Sequence, residues 1–174
     1  VEACAVCGSD LRIFNHGNPR VKPGRTVGHE ISGVVVSAGK NVSKFKKGDR
    51  LSIGADIPCN KPDYAFGHEL DGGFAEYIKL NKISIQKGPI QKIKKTTSYD
   101  SAALAEPLAC SINGYERSDI GTHINNIVIF GAGPIGHMLA LLGELKKPRK
   151  IIVVDPIESK LQKMKKIINV STVN

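Results

Sequence analysis

The stretch GHEISGVVVSAGKNV, residues 28–42, places two adjacent polar side chains, His29 and Glu30, directly before an apolar, strand-like segment. Glycines within the stretch are typical of tight bends and of close backbone approach. Upstream, the segment CAVCGSD, residues 4–10, offers the thiol of Cys7. Because Zn²⁺ is commonly held by Cys sulfur, His nitrogen and carboxylate oxygen, the sequence predicts a metal site formed by Cys7, His29 and Glu30.

Three motifs, in this order, resemble those of the zinc-dependent medium-chain dehydrogenases. The family signature Gly-His-Glu-x-x-Gly-x5-Gly is matched from Gly28 to Gly39, and Cys-Gly-Ser-Asp precedes it at 7–10. The third motif, EPLA at 106–109, is similar to the branch that acts on polyols and amino alcohols, such as sorbitol and threonine dehydrogenases. The resemblance implies a catalytic Zn²⁺ whose ligands are Cys7, His29, Glu30 and, directly or through water, Glu106.

The resemblance also assigns catalytic roles to Ser9 and Glu106. The Ser9 hydroxyl would accept the proton of the substrate alcohol, and Glu106 would lie beside the metal. From the residues alone, Ser9 and Asp10 suit the cap of a short helix. A histidine that continues the proton relay in the family is not found at residues 10–14, so this outer part of the relay does not carry over.

A dinucleotide fingerprint follows later in the chain. Residues 126–130, NIVIF, suit a buried parallel strand, and they lead into GAGPIG at 131–136 and then an apolar helix. A second predicted strand, IIVV at 151–154, ends in Asp155, which completes the order that this fingerprint requires. The predicted cofactor-binding residues are Gly131, Gly133, Pro134, Ile135, Gly136 and Asp155, and the resemblance adds Lys160, near the ribose.

The acid at 155 favours NAD over NADP, because a carboxylate can bind both ribose hydroxyls and would repel a 2′-phosphate. The resulting interpretation is an oxidoreductase that transfers a hydride between a secondary alcohol and NAD, with Zn²⁺ and NAD as cofactors. The expected substrate class is a polyol, a sugar or an amino alcohol.

Short strands separated by glycine turns predict a β-barrel in the first part of the chain, where residues 78–95 would continue the barrel. The predicted fold class is α/β plus β. The resemblance implies a chaperonin-10-like (GroES-like) catalytic zinc domain over residues 1–120, followed by the first part of a Rossmann NAD-binding domain over residues 121–174. An alanine-rich helix interrupted at Pro107 is expected to form the crossover.

Composition excludes several other function classes. The chain has 174 residues, 41% of them hydrophobic, and apolar runs that are too short to span a bilayer. No basic leader opens it, so we expect a cytoplasmic protein without membrane partners. The net charge is +9, but the lysines are scattered and aromatic residues make up 5%, which argues against nucleic acid. The expected partners are a small-molecule alcohol and, by resemblance, further copies in a dimer or tetramer.

Three cysteine or histidine residues outside the motifs are predicted to have structural rather than functional roles. Cys4 and Cys110 are predicted as core residues, and His68, in a glycine-flanked loop, as a structural or solvent-facing residue. The sequence around Cys59 contains one thiol where the family often carries a four-cysteine zinc lobe, so either the lobe is absent or a loop has been omitted.

Two alternatives stay open beside the enzyme interpretation. One is a zinc-free relative resembling quinone reductases, and the other is an incomplete fragment that binds metal or cofactor without turnover. We expect the chain to be longer in solution than the sequence shown, because a full double-wound sheet needs about six strands.

Overall fold

Strands in the first part of the chain pair antiparallel, whereas those in the last part pair parallel. The computed structural model describes residues 1–60, 64–118 and 125–174, and it divides the chain into two units, Val1–Glu106 and Pro107–Asn174. A β-rich part followed by an α/β part fits the predicted class. The predicted domain boundary, between residues 120 and 121, lies outside the described residues.

The first unit contains a four-stranded antiparallel sheet. Its strands, in the order in which they pair, are β1 (Ala3–Ala5), β2 (Glu30–Val34), β3 (Arg50–Ile53) and β4 (Ile90–Lys92). The strands are short because turns follow closely, as the spacing of glycines in the sequence predicts. The apolar side chains of the sheet pack with residues from the flanking loops into one core, formed by Ile31, Phe45, Leu51, Ile53, Ile57, Phe66 and Ile90.

Helices in the first unit begin at residues that cap them. They are α1 (Gly8–His16), α2 (Lys82–Lys87) and α3 (Tyr99–Ala103). The prediction that residues 78–95 continue the barrel is wrong for Lys82–Lys87, because these residues form α2. The Asn81 side chain accepts a hydrogen bond from the Ser84 N–H at 2.9 Å, which satisfies a free donor of the first helical turn and favours a helix there.

The alanine-rich region forms two helices rather than one helix broken at its proline. After α3 ends at Ala103, α4 (Ala105–Arg117) begins, so that the interruption falls at Leu104. Pro107 lies in the first turn of α4, where its missing N–H has no intrahelical partner to lose. The predicted break at Pro107 is therefore three residues too late.

Two serine hydroxyls, one buried and one half-buried, attach α3 to the sheet. Ser32 Oγ, on β2, donates to the Tyr99 carbonyl oxygen at 2.7 Å, and Ser52 Oγ, on β3, donates to that of Ala102 at 2.9 Å. The Arg50 guanidinium binds the preceding loop through the carbonyl oxygens of residues 94, 95 and 97, and it stacks on the Tyr99 ring at 4.2 Å. These contacts give hydrogen-bond donors to the carbonyl groups of α3 and of the loop before it.

A loop between β3 and α2 is closed at its base by backbone hydrogen bonds. The Phe66 N–H donates to the Ala55 carbonyl at 3.1 Å, and the Ile57 N–H donates to the Tyr64 carbonyl at 3.0 Å. Phe66 is fully buried in the core of the first unit. The two arms of this loop are thus joined both by backbone pairing and by apolar packing.

The second unit contains a parallel sheet in the order β5 (Asn126–Phe130), β6 (Lys150–Val154) and β7 (Ser171–Val173), with helices α5 (Pro134–Glu144) and α6 (Glu158–Lys165). The predicted strands at 126–130 and 151–154 are confirmed. The sequence did not predict β7, whose three residues are partly polar. The core of this unit comprises Ile127, Ile129, Ala132, Ala140, Ile151, Val153, Leu161, Met164 and Ile168.

The two cysteines predicted as core residues differ in burial. Cys4 is half-buried and packs against the core of the first unit. Cys110 is exposed, so its assignment to the core is wrong. The buried positions of α4 are Pro107 and Ser111, which are four residues apart, and Cys110 lies outside that stripe. None of the helices in the described ranges has the length and apolar character needed to cross a lipid bilayer.

The attachment of α3 can be tested by the substitution Ser32→Ala. This change should lower the free energy of unfolding by about 1–3 kcal/mol, because it leaves the Tyr99 carbonyl without its buried donor. Urea unfolding of the variant and the unmodified protein measures the difference. The matched control is Ser43→Ala at an exposed loop position, which should change the value by less than about 0.5 kcal/mol. Equal effects of the two substitutions would contradict the assigned role of Ser32.

Candidate functional site

The register of the first two strands brings Cys7 to the His-Glu pair. Ala5 on β1 lies opposite Glu30 on β2, and the chain continues for two residues to Cys7, the N-cap of α1. Cys7 Sγ, a ring nitrogen of His29 and a carboxylate oxygen of Glu30 all lie within 4.8 Å of one another. His29 and Glu30 are only 7% and 5% exposed, so this group, called here the Cys7 cluster, is largely shielded from water.

The electrostatics of the Cys7 cluster favour a bound cation. Burial raises the pKa of Glu30, and the negative charge of Asp10 raises it further, whereas His29 and a hydrogen bond from Cys7 act in the opposite direction. A raised carboxyl pKa means that the ionised form is insufficiently compensated by the protein alone. A divalent cation between thiol, imidazole and carboxylate would supply the missing positive charge.

Asp10 supports this cluster in a way that the sequence did not predict. Its Oδ2 accepts a hydrogen bond from the Cys7 N–H at 2.9 Å, and its Oδ1 lies 3.6 Å from His29 Nδ1. Asp10 Oδ1 and His29 Nδ1 are both buried, and neither has a hydrogen-bond partner among the described residues, so a slight approach would pair them. Metal-binding histidines usually donate their second ring N–H to such a carboxylate, which leaves the other nitrogen for the metal.

Ser9 lies beside the cluster, in the first turn of α1. Its Oγ is 3.4 Å from His29 Nε2, the ring nitrogen on the side away from Asp10. The N-cap is Cys7, so the predicted cap is wrong for Ser9, which lies inside the first turn. Asp10 also lies in that turn but does take part in the cap, because its side chain accepts the Cys7 N–H. The motif Cys-Gly-Ser-Asp therefore forms one helical turn that presents thiol, hydroxyl and carboxylate together.

Other predicted or nearby side chains differ in their relation to the cluster. Glu106 is half-buried in the first turn of α4, and the group of potential metal ligands found among the described residues does not include it. Cys4, although only three residues from Cys7, is a poor ligand. Burial, with the charge of Asp10 second, raises the pKa of its thiol to about 11, so that it stays protonated at neutral pH.

His68 is brought next to the cluster, which sequence reasoning missed. The centroids of its ring and of the His29 ring are 5.7 Å apart, with a tilt of 48° between the planes. Residue 68 is half-buried, which is compatible with either a structural or a partly solvent-facing histidine, the two roles predicted for it. The available signal was the repetition of Gly-His-Glu at 28–30 and 67–69, but repetition alone does not indicate proximity.

In the second unit, the glycine loop has the backbone geometry that its sequence requires. Gly131 has a φ of +100°, and its N–H donates to the Val154 carbonyl at 2.7 Å. A Cβ on Gly136 would collide with the Gly131 carbonyl oxygen, whereas a Cβ on Gly133 would meet nothing within 4 Å. Gly133 thus borders open space, and Pro134 and Ile135 begin α5 behind it.

Asp155 follows β6, and its buried carboxylate binds the backbone of the glycine loop. Its Oδ2 accepts from the Ala132 N–H and its Oδ1 from the Ile157 N–H, each at 2.8 Å. These two hydrogen bonds lower the pKa of Asp155, and the positive charge of Lys160 on α6 lowers it further. The structure therefore brings Asp155, Lys160 and the glycine loop into one neighbourhood.

Comparison with known proteins places these features in context. Residues 1–89, more than half of the chain, match the family described as the alcohol dehydrogenase GroES-like domain. L-threonine 3-dehydrogenase from Bacillus licheniformis is 30% identical and is matched over 92% of this chain and 49% of its own length. D-xylulose reductase from Saccharomyces cerevisiae is also 30% identical, over 93% of this chain and 49% of its own length.

A solved structure extends the likeness across both units. A protein from Sinorhizobium meliloti 1021, described as a zinc-binding dehydrogenase bound to NADP, is 30% identical and superposes with a TM-score of 0.86, covering 99% of this chain and 52% of the other. The chain spans about half the length of the curated relatives it matches. By its GroES-like domain and these similarities, the chain belongs to the zinc-dependent medium-chain alcohol dehydrogenase family.

Proposed function

We propose that the protein is a zinc- and NAD-dependent dehydrogenase that oxidises a secondary alcohol, with a polyol, a sugar or an amino alcohol as substrate. The observation that carries this proposal is the Cys7 cluster, in which three potential ligand atoms of three different kinds lie within 4.8 Å of one another. The names of the relatives, L-threonine 3-dehydrogenase and D-xylulose reductase, support the substrate class.

The proposal includes the finer fold and the assembly. The first domain, predicted over residues 1–120, would be a chaperonin-10-like barrel, and residues 121–174 would form the first part of a Rossmann domain. The antiparallel sheet of the first unit and the parallel order β5-β6-β7 of the second support this assignment. The protein would assemble as a dimer or tetramer, as the family resemblance implies.

Cys7, His29 and Glu30 would hold the zinc, with Glu106 as a further ligand, directly or through water. When bound, zinc supplies Lewis acidity that lowers the pKa of a substrate hydroxyl. The Cys7 thiolate and the Glu30 carboxylate together balance two positive charges. Asp10 would orient the His29 ring through Nδ1, since its Oδ1 lies 3.6 Å away, and this leaves Nε2 for the metal side.

Ser9 is the proposed acceptor of the substrate proton. A hydroxyl can accept and donate at once, so it can pass the proton onward without a change in its own charge. Its position 3.4 Å from His29 Nε2 supports this role, because the substrate hydroxyl would lie on the same side of the ring. Glu106 is the other proposed catalytic residue, and its carboxylate would lie near the metal.

The glycine loop, Asp155 and Lys160 are the proposed NAD site. Bound NAD accepts the hydride, while the protein supplies position and charge. The open space at Gly133 lets a diphosphate approach the backbone, and the start of α5 offers N–H groups and partial positive charge. The zinc-free alternative is less well supported, because it leaves the Glu30 carboxylate buried without a cation.

The zinc assignment predicts about one zinc per chain, bound at the Cys7 cluster. Cys7→Ala should lose most of this zinc after gel filtration, because the thiolate and its charge are removed. Elemental analysis of the purified protein measures the stoichiometry. Cys4→Ala is the matched control and should retain zinc, since the Cys4 thiol stays protonated. Unchanged zinc in Cys7→Ala would overturn the metal assignment.

The glycine loop predicts opposite outcomes for two similar substitutions. Gly133→Ala should fold normally yet weaken NADH binding at least tenfold, because its methyl group occupies the space left for the diphosphate. Gly136→Ala should lower the melting temperature, since its Cβ meets the Gly131 carbonyl. Fluorescence titration with NADH and thermal unfolding measure the two effects. Full NADH affinity in Gly133→Ala would contradict the proposed site.

Cofactor choice is predicted to depend on the charge of Asp155. Asp155→Asn should reduce the preference for NAD over NADP, measured as the ratio of kcat/KM values, by about tenfold, or ~1.4 kcal/mol. Glu158→Gln removes an exposed carboxylate from the same region and should leave the ratio unchanged. Equal use of NAD and NADP by the unmodified protein would contradict the prediction. This outcome has to be checked, because the relative from Sinorhizobium meliloti was crystallised with NADP.

A further inference from the structure

His68 lies beside the Cys7 cluster and has no part in the mechanism proposed above. The geometry points to His68 as a specificity-determining residue, whose Nε2 accepts a hydrogen bond from a second hydroxyl or amino group of the alcohol substrate. This inference rests on the proposed dehydrogenase function and deepens it, because it states which alcohols the site selects. Three observations support it: the fixed position of the ring, its tautomer and its distance from His29.

The position of His68 is fixed on one side by the neighbouring residue, Glu69. The Glu69 carboxylate accepts two hydrogen bonds from the Arg20 guanidinium, at 2.7 and 3.0 Å, and a third from the Ala65 N–H at 3.0 Å. The Arg20 guanidinium holds the pKa of Glu69 below its usual range, so this ion pair persists at neutral pH. A two-pronged pair of this kind fixes orientation as well as distance.

On its other side, His68 is followed by a segment that pairs with the strand entry containing His29. The N–H groups of Gly72, Gly73 and Phe74 donate to the carbonyl oxygens of residues 26, 28 and 27, at 2.8, 2.9 and 3.0 Å. A Cβ on Gly72 would collide with the Gly28 carbonyl, so the two backbones are in direct contact. His68 is therefore held beside His29 by contacts on both sides.

The hydrogen bonding of the imidazole determines what it can recognise. Nδ1 of His68 lies 3.4 Å from the Phe66 carbonyl oxygen, and a carbonyl only accepts, so the hydrogen belongs on Nδ1. In this tautomer the ring presents a lone pair at Nε2, for which the described residues provide no further hydrogen bond. That nitrogen suits a hydroxyl or an amino group, which can donate, and not an ether, carbonyl, carboxylate or phosphate oxygen.

The two rings are close enough for one small molecule to meet both. Their centroids are 5.7 Å apart, a separation typical of neighbouring rings, so a molecule bound at the metal ligands beside His29 is also near His68. Its reacting hydroxyl would lie at the metal ligands, and its neighbouring donor would lie at His68. The selected substrates are thus alcohols with a second hydrogen-bond donor close to the reacting carbon.

The test uses the full-length zinc-loaded enzyme with NAD and three alcohols, namely 2,3-butanediol, 3-methoxy-2-butanol and 2-butanol. The first carries a second donor, the second has an acceptor in its place, and the third has neither. The unmodified enzyme should favour the diol over both others. His68→Phe should reduce the kcat/KM of the diol relative to 2-butanol by about five- to tenfold, because one hydrogen bond is lost.

Two further variants separate recognition from general damage. His68→Gln should restore part of the diol preference, since the amide oxygen of Gln accepts as Nε2 does. His16→Gln, at an exposed histidine of α1, should leave all three values unchanged. Zinc content should be the same in every variant, because His68 is assigned to the substrate and not to the metal.

The outcomes that overturn the inference are distinct from those that overturn the proposed function. Equal loss with all three alcohols in His68→Phe, or no loss at all, would refute the recognition role. Loss of zinc in the His68 variants would make the imidazole a metal ligand and would equally refute it. If the unmodified enzyme oxidised none of the alcohols, the dehydrogenase proposal would fail and the inference with it.

Discussion

The antiparallel pairing of β1 with the start of β2 is the constraint on which the candidate metal centre depends. Because Ala5 lies opposite Glu30, the residues that follow β1 must pass beside His29 before α1 begins at Gly8. Three short hydrogen-bonded positions thus set the distances among thiol, imidazole and carboxylate. Asp10, in the first turn of the helix, then reaches both the Cys7 N–H and the vicinity of His29 Nδ1. The register of the strands and the capping of the helix therefore together position the side chains of the Cys7 cluster.

The buried charges explain why the surrounding structure must be rigid. A carboxylate such as Glu30 is costly to bury unless it is compensated, and the compensation works only if the distances are kept. Close backbone contact between the segment around Gly72 and the entry to β2 fixes those distances from the opposite side. In the second unit, Asp155 performs a comparable task, because it accepts hydrogen bonds from the glycine loop and from the start of the next turn.

Sequence reasoning succeeded where a motif has only one workable geometry. The strands around the glycine fingerprint followed from residue order, and the proximity of Cys7 to the His-Glu pair followed from the ligand types and the resemblance to a known motif set. It failed where a local hydrogen bond or a distant contact decides. Asn81 converts an apolar stretch into α2, and His68 meets His29 through contacts between segments nearly forty residues apart. β7 was missed because its polar residues give little strand signal.

The closed base of the loop between Ile57 and Tyr64 has a consequence for how this domain can change in length. Backbone hydrogen bonds join the two arms below that point, and buried Phe66 anchors one of them in the core. Residues inserted between Ile57 and Tyr64, beyond these hydrogen bonds, would cost only the loop-closure free energy, which grows slowly with loop length. The domain can therefore gain or shed a whole appendage there, such as a four-cysteine zinc lobe, while the strands that carry its chemistry stay in place.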